Sequence, residues 1–238
     1  MENYKKNLEL LTKNHVYSKE MEHDACGVGL IASTEGKKSR AIVEYGIEAL
    51  KAVWHRGAVD ADGKTGDGAG IHVEIPKDFF IEKIQVTGHD YDNSEICVGM
   101  IFLPRNDYSA QESCKTIVES ELTKNNFSIY GWRQVPVNSK VLGEKALQTM
   151  PEIIQVLFKP NDPNLLDKNL ERKIYETRKR IENKAFDASL NNFYICSISS
   201  KSIIYKGLYL AEALSDFYLD LRDSRFISRY AIFHQRFS

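Results

Sequence analysis

The stretch Glu22-His23-Asp24-Ala25-Cys26-Gly27-Val28-Gly29-Leu30-Ile31-Ala32 decides how the rest of the chain is read. A charged left half meets an apolar right half at one cysteine. The reading it supports makes Cys26 a catalytic nucleophile and the first residue of the mature protein. Residues 1–25 are then a propeptide, and residues 26–238 are the domain that aims the thiol. A free thiol titrates near ~8.5 and an α-amino group near ~7.7–8.0, so an N-terminal cysteine carries nucleophile and base on one residue. The amine takes the thiol proton, the thiolate attacks a carbonyl, and the ammonium protonates the leaving nitrogen. An internal Cys26 has no free amine, so the Ala25–Cys26 bond must be cut first. A buried core thiol at the start of a strand satisfies the same spacing, because free cysteine is among the most buried residue types. The choice rests on what accompanies Cys26.

The 238 residues suffice for one domain with a sizeable core. With 32 basic against 33 acidic residues, bulk charge gives no reason to expect a nucleic-acid or membrane-surface partner. Cys26, Cys97, Cys114 and Cys196 are scattered and form no CxxC pair, so neither a zinc site nor a disulfide scaffold is expected. A reducing, cytoplasmic setting is the simplest expectation. No apolar run reaches membrane-span length. Residues 1–25 lack the apolar centre of a secretory signal, and their acidic residues are unlike a transit peptide.

Residues 27–33 read as a short buried strand. Ser39 is placed to cap a helix whose apolar face is Val43, Ile47, Leu50 and Trp54. That helix is expected to end at His55-Arg56-Gly57, with Gly57 as a left-handed stop. Ile71, Val73 and Ile75 alternate with His72 and Glu74, a half-buried strand ended by Pro76. Residues 96–103 form a near-continuous apolar run, a central strand, and 109–124 a helix. Residues 130–136 read as aromatic and turn-like, 153–158 as a strand. Leu170, Ile174 and Ile181 mark a charged surface helix. Residues 193–198 and 202–210 read as a hairpin through Ser199-Ser200-Lys201, 211–221 as short and helical, and 226–234 as a final strand. Adjacent strands favour an α+β arrangement with antiparallel or mixed sheets over a doubly wound parallel one.

Between helix and strand lies Gly57-Ala58-Val59-Asp60-Ala61-Asp62-Gly63-Lys64-Thr65-Gly66-Asp67-Gly68-Ala69-Gly70. A phosphate-binding loop needs four residues between its first glycine and Gly-Lys-Thr. Here there are five, three aspartates would repel phosphate, and a strand rather than a helix follows. Asp60 and Asp62 begin like a calcium loop, but Lys64 occupies the third ligand position. A rigid turn packed near an active centre fits better. His55 and Arg56 suit the dipole at a helix end. His234, Gln235 and Arg236 close a strand, where an arginine can grip a carboxylate with two parallel hydrogen bonds. A surface salt bridge would use the same spacing.

Together these segments resemble the start of the glutamate synthase large subunit, within the class II glutamine amidotransferases. The resemblance rests on Asp24-Ala25-Cys26-Gly27-Val28-Gly29, His55-Arg56-Gly57-Ala58, and the run from Ala61 to Ile71. Gly131-Trp132-Arg133 with Val135-Pro136, Leu142-Gly143-Glu144, Tyr205-Lys206-Gly207-Leu208, and His234-Gln235-Arg236-Phe237-Ser238 follow in the same order. It implies an N-terminal-nucleophile hydrolase, a four-layer αββα sandwich. Cys26 would hydrolyse the side-chain amide of L-glutamine through a thioester, and Arg236 would hold the substrate α-carboxylate. The ammonia would pass to downstream synthase domains that aminate 2-oxoglutarate. FMN and an iron–sulfur cluster would belong to those domains, fed by an electron-donor subunit or ferredoxin. No cofactor and no metal is expected in this chain.

In that family the His-Gln-Arg-Phe-Ser run continues with a threonine and later an Asn-Gly pair that forms the oxyanion hole. The sequence stops at Ser238, so the expectation is a domain truncated before its closing strands. The alternatives are another class II amidotransferase or N-terminal-nucleophile amidase, against which the 55–71 stretch argues, or a non-catalytic interaction module in which Cys26 is a core thiol. A missing oxyanion donor costs ~10²–10³ in rate. The isolated 238-residue chain should therefore release little or no ammonia from glutamine, and turnover at an ordinary enzymatic rate would contradict this.

Overall fold

The computed structural model describes residues 2–14 and 27–236. Cys26 and the rest of the expected leader beyond residue 14 lie outside them. The elements are α1 (Glu2–Lys13), β1 (Gly27–Ala32), α2 (Arg40–Ala52), β2 (Ala69–Glu74), α3 (Lys77–Val86), β3 (Cys97–Leu103), α4 (Tyr108–Lys124), β4 (Phe127–Gln134), α5 (Glu144–Thr149), β5 (Glu152–Pro160), α6 (Asp167–Asp187), β6 (Tyr194–Ser199), β7 (Ser202–Gly207), α7 (Leu214–Phe217) and β8 (Tyr230–Gln235). Among the described residues the strands form two four-stranded sheets, ordered β1-β8-β2-β7 and β4-β5-β3-β6. Every pairing is antiparallel. This is the α+β class expected.

The helices start where short polar side chains can satisfy free backbone donors. Ser39 accepts from the Ile42 amide at 3.4 Å to open α2, and Asp107 accepts from Ala110 at 2.9 Å to open α4. Helix α2 buries Ile42, Val43, Ile47 and Leu50 and packs on β8, β1 and β2. Helices α4 and α6 pack on each other and on the second sheet. The long α6 buries Leu170, Ile174, Thr177, Ile181 and Ala185. Its outer face is laced by i,i+4 pairs such as Arg172–Glu176 at 3.0 Å.

The continuous apolar runs are explained by burial on both faces. In β5, Ile154, Val156 and Phe158 join the core under α4 and α6. Ile153 and Leu157 face a second core shared with the first sheet, α2 and α3. Period-2 alternation makes this division automatic. In the second core, Tyr205, Tyr218 and Phe226 meet edge-on. Arg133 forks onto Asp220 at 2.7 and 2.5 Å, Gln155 accepts from the same guanidinium at 2.7 Å, and Tyr205 donates to Asp220 at 3.0 Å.

Several segments differ from expectation. Strand β1 is at a sheet edge with α2 on one face only. Val28 and Leu30 are therefore 64% and 61% exposed rather than buried. Helix α2 ends at Ala52 and tightens into a 3₁₀ turn at Trp54–Arg56. Gly57 has φ −97, so it is no left-handed stop, and Trp54 points outward. Strand β2 begins at Ala69, lies between β8 and β7 in the sheet, and is buried at every residue but His72, which is intermediate. Its Glu74 is buried because Arg229 clasps it, with Nη2 at 2.6 Å. Residues 127–134 are a strand rather than a turn. Gly131, at φ +149, takes up a register shift there that an L side chain would strain. Strands β6 and β7 are not a hairpin. They belong to different sheets, and residues 200–201 carry the chain from one sheet to the other. The last strand is shorter than 226–234, because Phe226 belongs to the core before it.

Removing one partner of a buried, forked ion pair strands the other charge, at about 3–5 kcal/mol. Asp220 is almost fully buried and Arg133 nearly so. Asp220→Ala should lower the unfolding free energy by that order in urea titration, whereas Lys37→Ala, at an exposed pair, should leave it within error.

Candidate catalytic edge

At one end of the first sheet the register places Gly27, Gln235, Ala69 and Gly207 in a single row across all four strands. Cys26 comes one residue before that row and Arg236 one residue after it. Arg236 has φ +80, a region that costs a non-glycine residue about 1–3 kcal/mol. Its amide donates to the Gly68 carbonyl at 2.7 Å, which holds it there. Its Nε lies 3.5 Å from Asp67 Oδ2. The guanidinium is half-exposed beyond the sheet end. Of His234-Gln235-Arg236, Gln235 lies in the row itself, with His234 one residue before it and Arg236 one residue after it.

The glycine-rich loop is rigid and self-satisfied. Val59 bridges Gly66, and the Asp60 amide donates to the Thr65 carbonyl at 2.9 Å. Asp62 accepts from the Lys64 and Thr65 amides at 2.9 and 2.7 Å and from the Thr65 hydroxyl at 2.6 Å. Those bonds, the Thr65 hydroxyl first, hold its carboxyl well below the usual range. Asp60 pairs with Lys145 at 2.7 Å. The Asp60 and Asp62 carboxylates are thus committed to the loop and to α5 rather than to a bound cation. Among the described residues no cluster of three or more His, Cys, Asp or Glu is placed to hold a metal ion, and no helix is long and apolar enough to cross a membrane.

The remaining cysteines are poor nucleophiles. Burial pushes the Cys114 thiol up to about 11 and the Cys196 thiol up to about 12. It raises buried Cys97 as well. Thiolates, not thiols, attack, so these three are unsuited to nucleophilic chemistry at neutral pH; the fourth cysteine, Cys26, lies outside the described residues.

Two residues of the edge escaped sequence reasoning. Asp67 was one aspartate among three in the loop, and only folding brings it to Arg236. Gln235 is 1% exposed. It shares its face of β8 with buried Ala231 and Phe233, so a polar residue at an apolar parity was the available signal. A cleft of about 790 Å³ runs between Leu103–Asp107 and Lys206–Tyr209. It touches the row only at Gly207, and Arg236 is not in its wall.

Residues 26–238 match the family model for class-II glutamine amidotransferases. The chain is 53% identical over 235 residues to the glutamate synthase (NADPH) large chain of Azospirillum brasilense, covering 99% of this chain and 15% of that protein. It is 40% identical over 220 residues to the chloroplastic ferredoxin-dependent glutamate synthase of Spinacia oleracea, covering 91% of this chain and 13% of that one. The chain therefore spans about one-seventh of the length of these relatives.

Burial holds His72 and His234 below their ordinary value of 6.5, with Asp67 opposing the shift at His234 and Lys206 adding to it. A histidine with a depressed folded value binds fewer protons folded than unfolded, so stability falls as pH drops through 6.5 toward that value. NMR titration should give both midpoints below 6.5, and His72→Gln with His234→Gln should flatten the loss of stability on acidification through that window.

Proposed function

The chain belongs to the class-II glutamine amidotransferases, and on that premise we propose that it is the glutaminase domain of a glutamate synthase, with Cys26 as nucleophile. The reading is carried by the register that pairs Gly27 with Gln235. In the chain Cys26 immediately precedes Gly27 and Arg236 immediately follows Gln235. Arg236 receives the α-carboxylate of L-glutamine. Asp67 at 3.5 Å orients its guanidinium.

Removal of residues 1–25 as a propeptide frees the Cys26 amine. The amine takes the thiol proton, and sulfur bonds to the side-chain carbonyl carbon of glutamine. The C–N bond then breaks as the nitrogen accepts that proton and leaves as ammonia. Water attacks the thioester, releasing glutamate and restoring the thiol. The two sheets and their covering helices are then the four layers of an αββα N-terminal-nucleophile hydrolase.

In the full-length enzyme the ammonia aminates 2-oxoglutarate in a downstream synthase domain. FMN and an iron–sulfur cluster are assigned to that remainder, together with electrons from a donor subunit or ferredoxin, in the cytoplasm. Among the described residues no cluster of three or more His, Cys, Asp or Glu is placed to hold a metal ion, and no step of the glutaminase reaction passes through either group.

Two measurements on the full-length enzyme test this reading. N-terminal sequencing of active protein should begin at Cys26. Cys26→Ser should abolish glutamine-dependent turnover while sparing ammonia-dependent turnover. A leader retained on active enzyme, or equal loss of both activities, would remove the assignment.

A further inference from the structure

Two side chains that bear on Arg236 come to rest on the same backbone atom. One is Gln235, whose backbone joins β8 to Gly27 on one side and Ala69 on the other. The other is Asp67, the carboxylate beside the Arg236 guanidinium. A methyl group added at Gly57 would overlap the Gln235 side-chain amide and stand 3.1 Å from Asp67 Oδ1. Among the described residues Gln235 Oε1 and Asp67 Oδ1 are buried without a hydrogen-bond partner. Gly57 itself is fixed, since its amide donates to the Trp54 carbonyl at 3.0 Å, the last bond of the 3₁₀ turn. Its φ of −97 is open to any residue, so handedness does not require glycine there. Close approach does.

We propose that Gly57 and Gln235 are positioning residues that set the Arg236 guanidinium for the α-carboxylate of glutamine. This inference rests on the glutaminase reading and adds a means of substrate recognition to it. The 3₁₀ turn after α2 acts as a fixed stop. Gln235 packs against it from β8 and Asp67 from the loop, and Arg236 is held between the residue before it and the carboxylate beside it. No hydrogen bond from either orphan oxygen replaces that contact. The arrangement is therefore set by shape, and an added Cβ displaces both side chains at once.

The test uses the full-length enzyme, with glutamine-dependent and ammonia-dependent turnover measured side by side. Gly57→Ala should raise KM for glutamine about ten-fold while kcat stays within about two-fold and ammonia-dependent turnover is unchanged. Gly57→Ala combined with Gln235→Ala, which removes the side chain that the methyl strikes, should bring KM most of the way back. A merely structural role would lower both activities together and would not separate KM from kcat. An unchanged KM in a Gly57→Ala enzyme that keeps its ammonia-dependent rate overturns the inference alone. If Gly57→Ala is insoluble, recovery of soluble enzyme with near-normal KM in the double variant supports the contact, and continued insolubility overturns it. Failure of Cys26→Ser to separate the two activities would instead remove the glutaminase reading, and this inference with it.

Discussion

The backbone ladder of β8 is the constraint on which the rest depends. Among the described residues β1 is an edge strand paired with β8 alone, and β8 in turn pairs with β2. The first described residue after Cys26 therefore reaches its place only when nearly the last one, Gln235, has been added to the sheet. Such a contact closes almost the whole chain as one loop. Its entropy must be met before any bond rewards it. What holds β8 in register is side-chain fit against β1 and α2. Phe233 lies over Gly29 of β1, and Ala231 lies against Gly46 of α2, where in each case a methyl on the glycine would overlap the neighbour. A one-residue slip would turn Phe233 and Ala231 outward and carry Ile232 inward. The pairing that forms the edge is thus specified by small residues on both the neighbouring strand and the helix.

A second constraint ties the sheets to each other. Arg133 on β4 and Asp220 are 87 residues apart, and Tyr205 on β7 donates to the same carboxylate. A buried ion pair of this kind gains little over an apolar replacement. It does require a specific geometry, because the forked guanidinium satisfies Asp220 and Gln155 together. Tyr205 precedes Lys206 and Gly207, the residue that completes the row at the sheet end. The polar network in the core thereby fixes the strand that borders the site.

What was legible in the sequence follows from whether a residue's role is local. Strands β3 and β5 were plain because burial on both faces writes a continuous apolar run, and α2 was plain because Ser39 and its apolar spacing are short-range signals. Strand β4 was not. It lies at an edge, carries Gly131 at a register shift, and holds an arginine whose partner is distant in sequence. A turn of three polar residues between two strands looks the same whether the strands pair or part, so β6 and β7 were read as a hairpin although they belong to different sheets. Arg236 was legible at a strand end, but Asp67 as its neighbour was not, because that proximity exists only across the sheet.

Glycine is where local and non-local readings part most clearly. At Gly57 the sequence suggests a left-handed helix stop, yet the backbone there is extended and the missing side chain makes room for Gln235. At Gly143, whose sequence context is only a helix start, a methyl would strike Asp62 and Thr65. Neither position needs a special φ. Both need an absent Cβ so that another segment can close against the backbone. The glycine-rich loop is thus better understood by what packs onto it than by what it might bind. Its aspartates turn inward to their own amides, its glycines admit neighbouring chain, and Asp67 leaves it to stand beside Arg236. A loop whose composition invites a phosphate instead sets a carboxylate of its own, Asp67, beside a guanidinium.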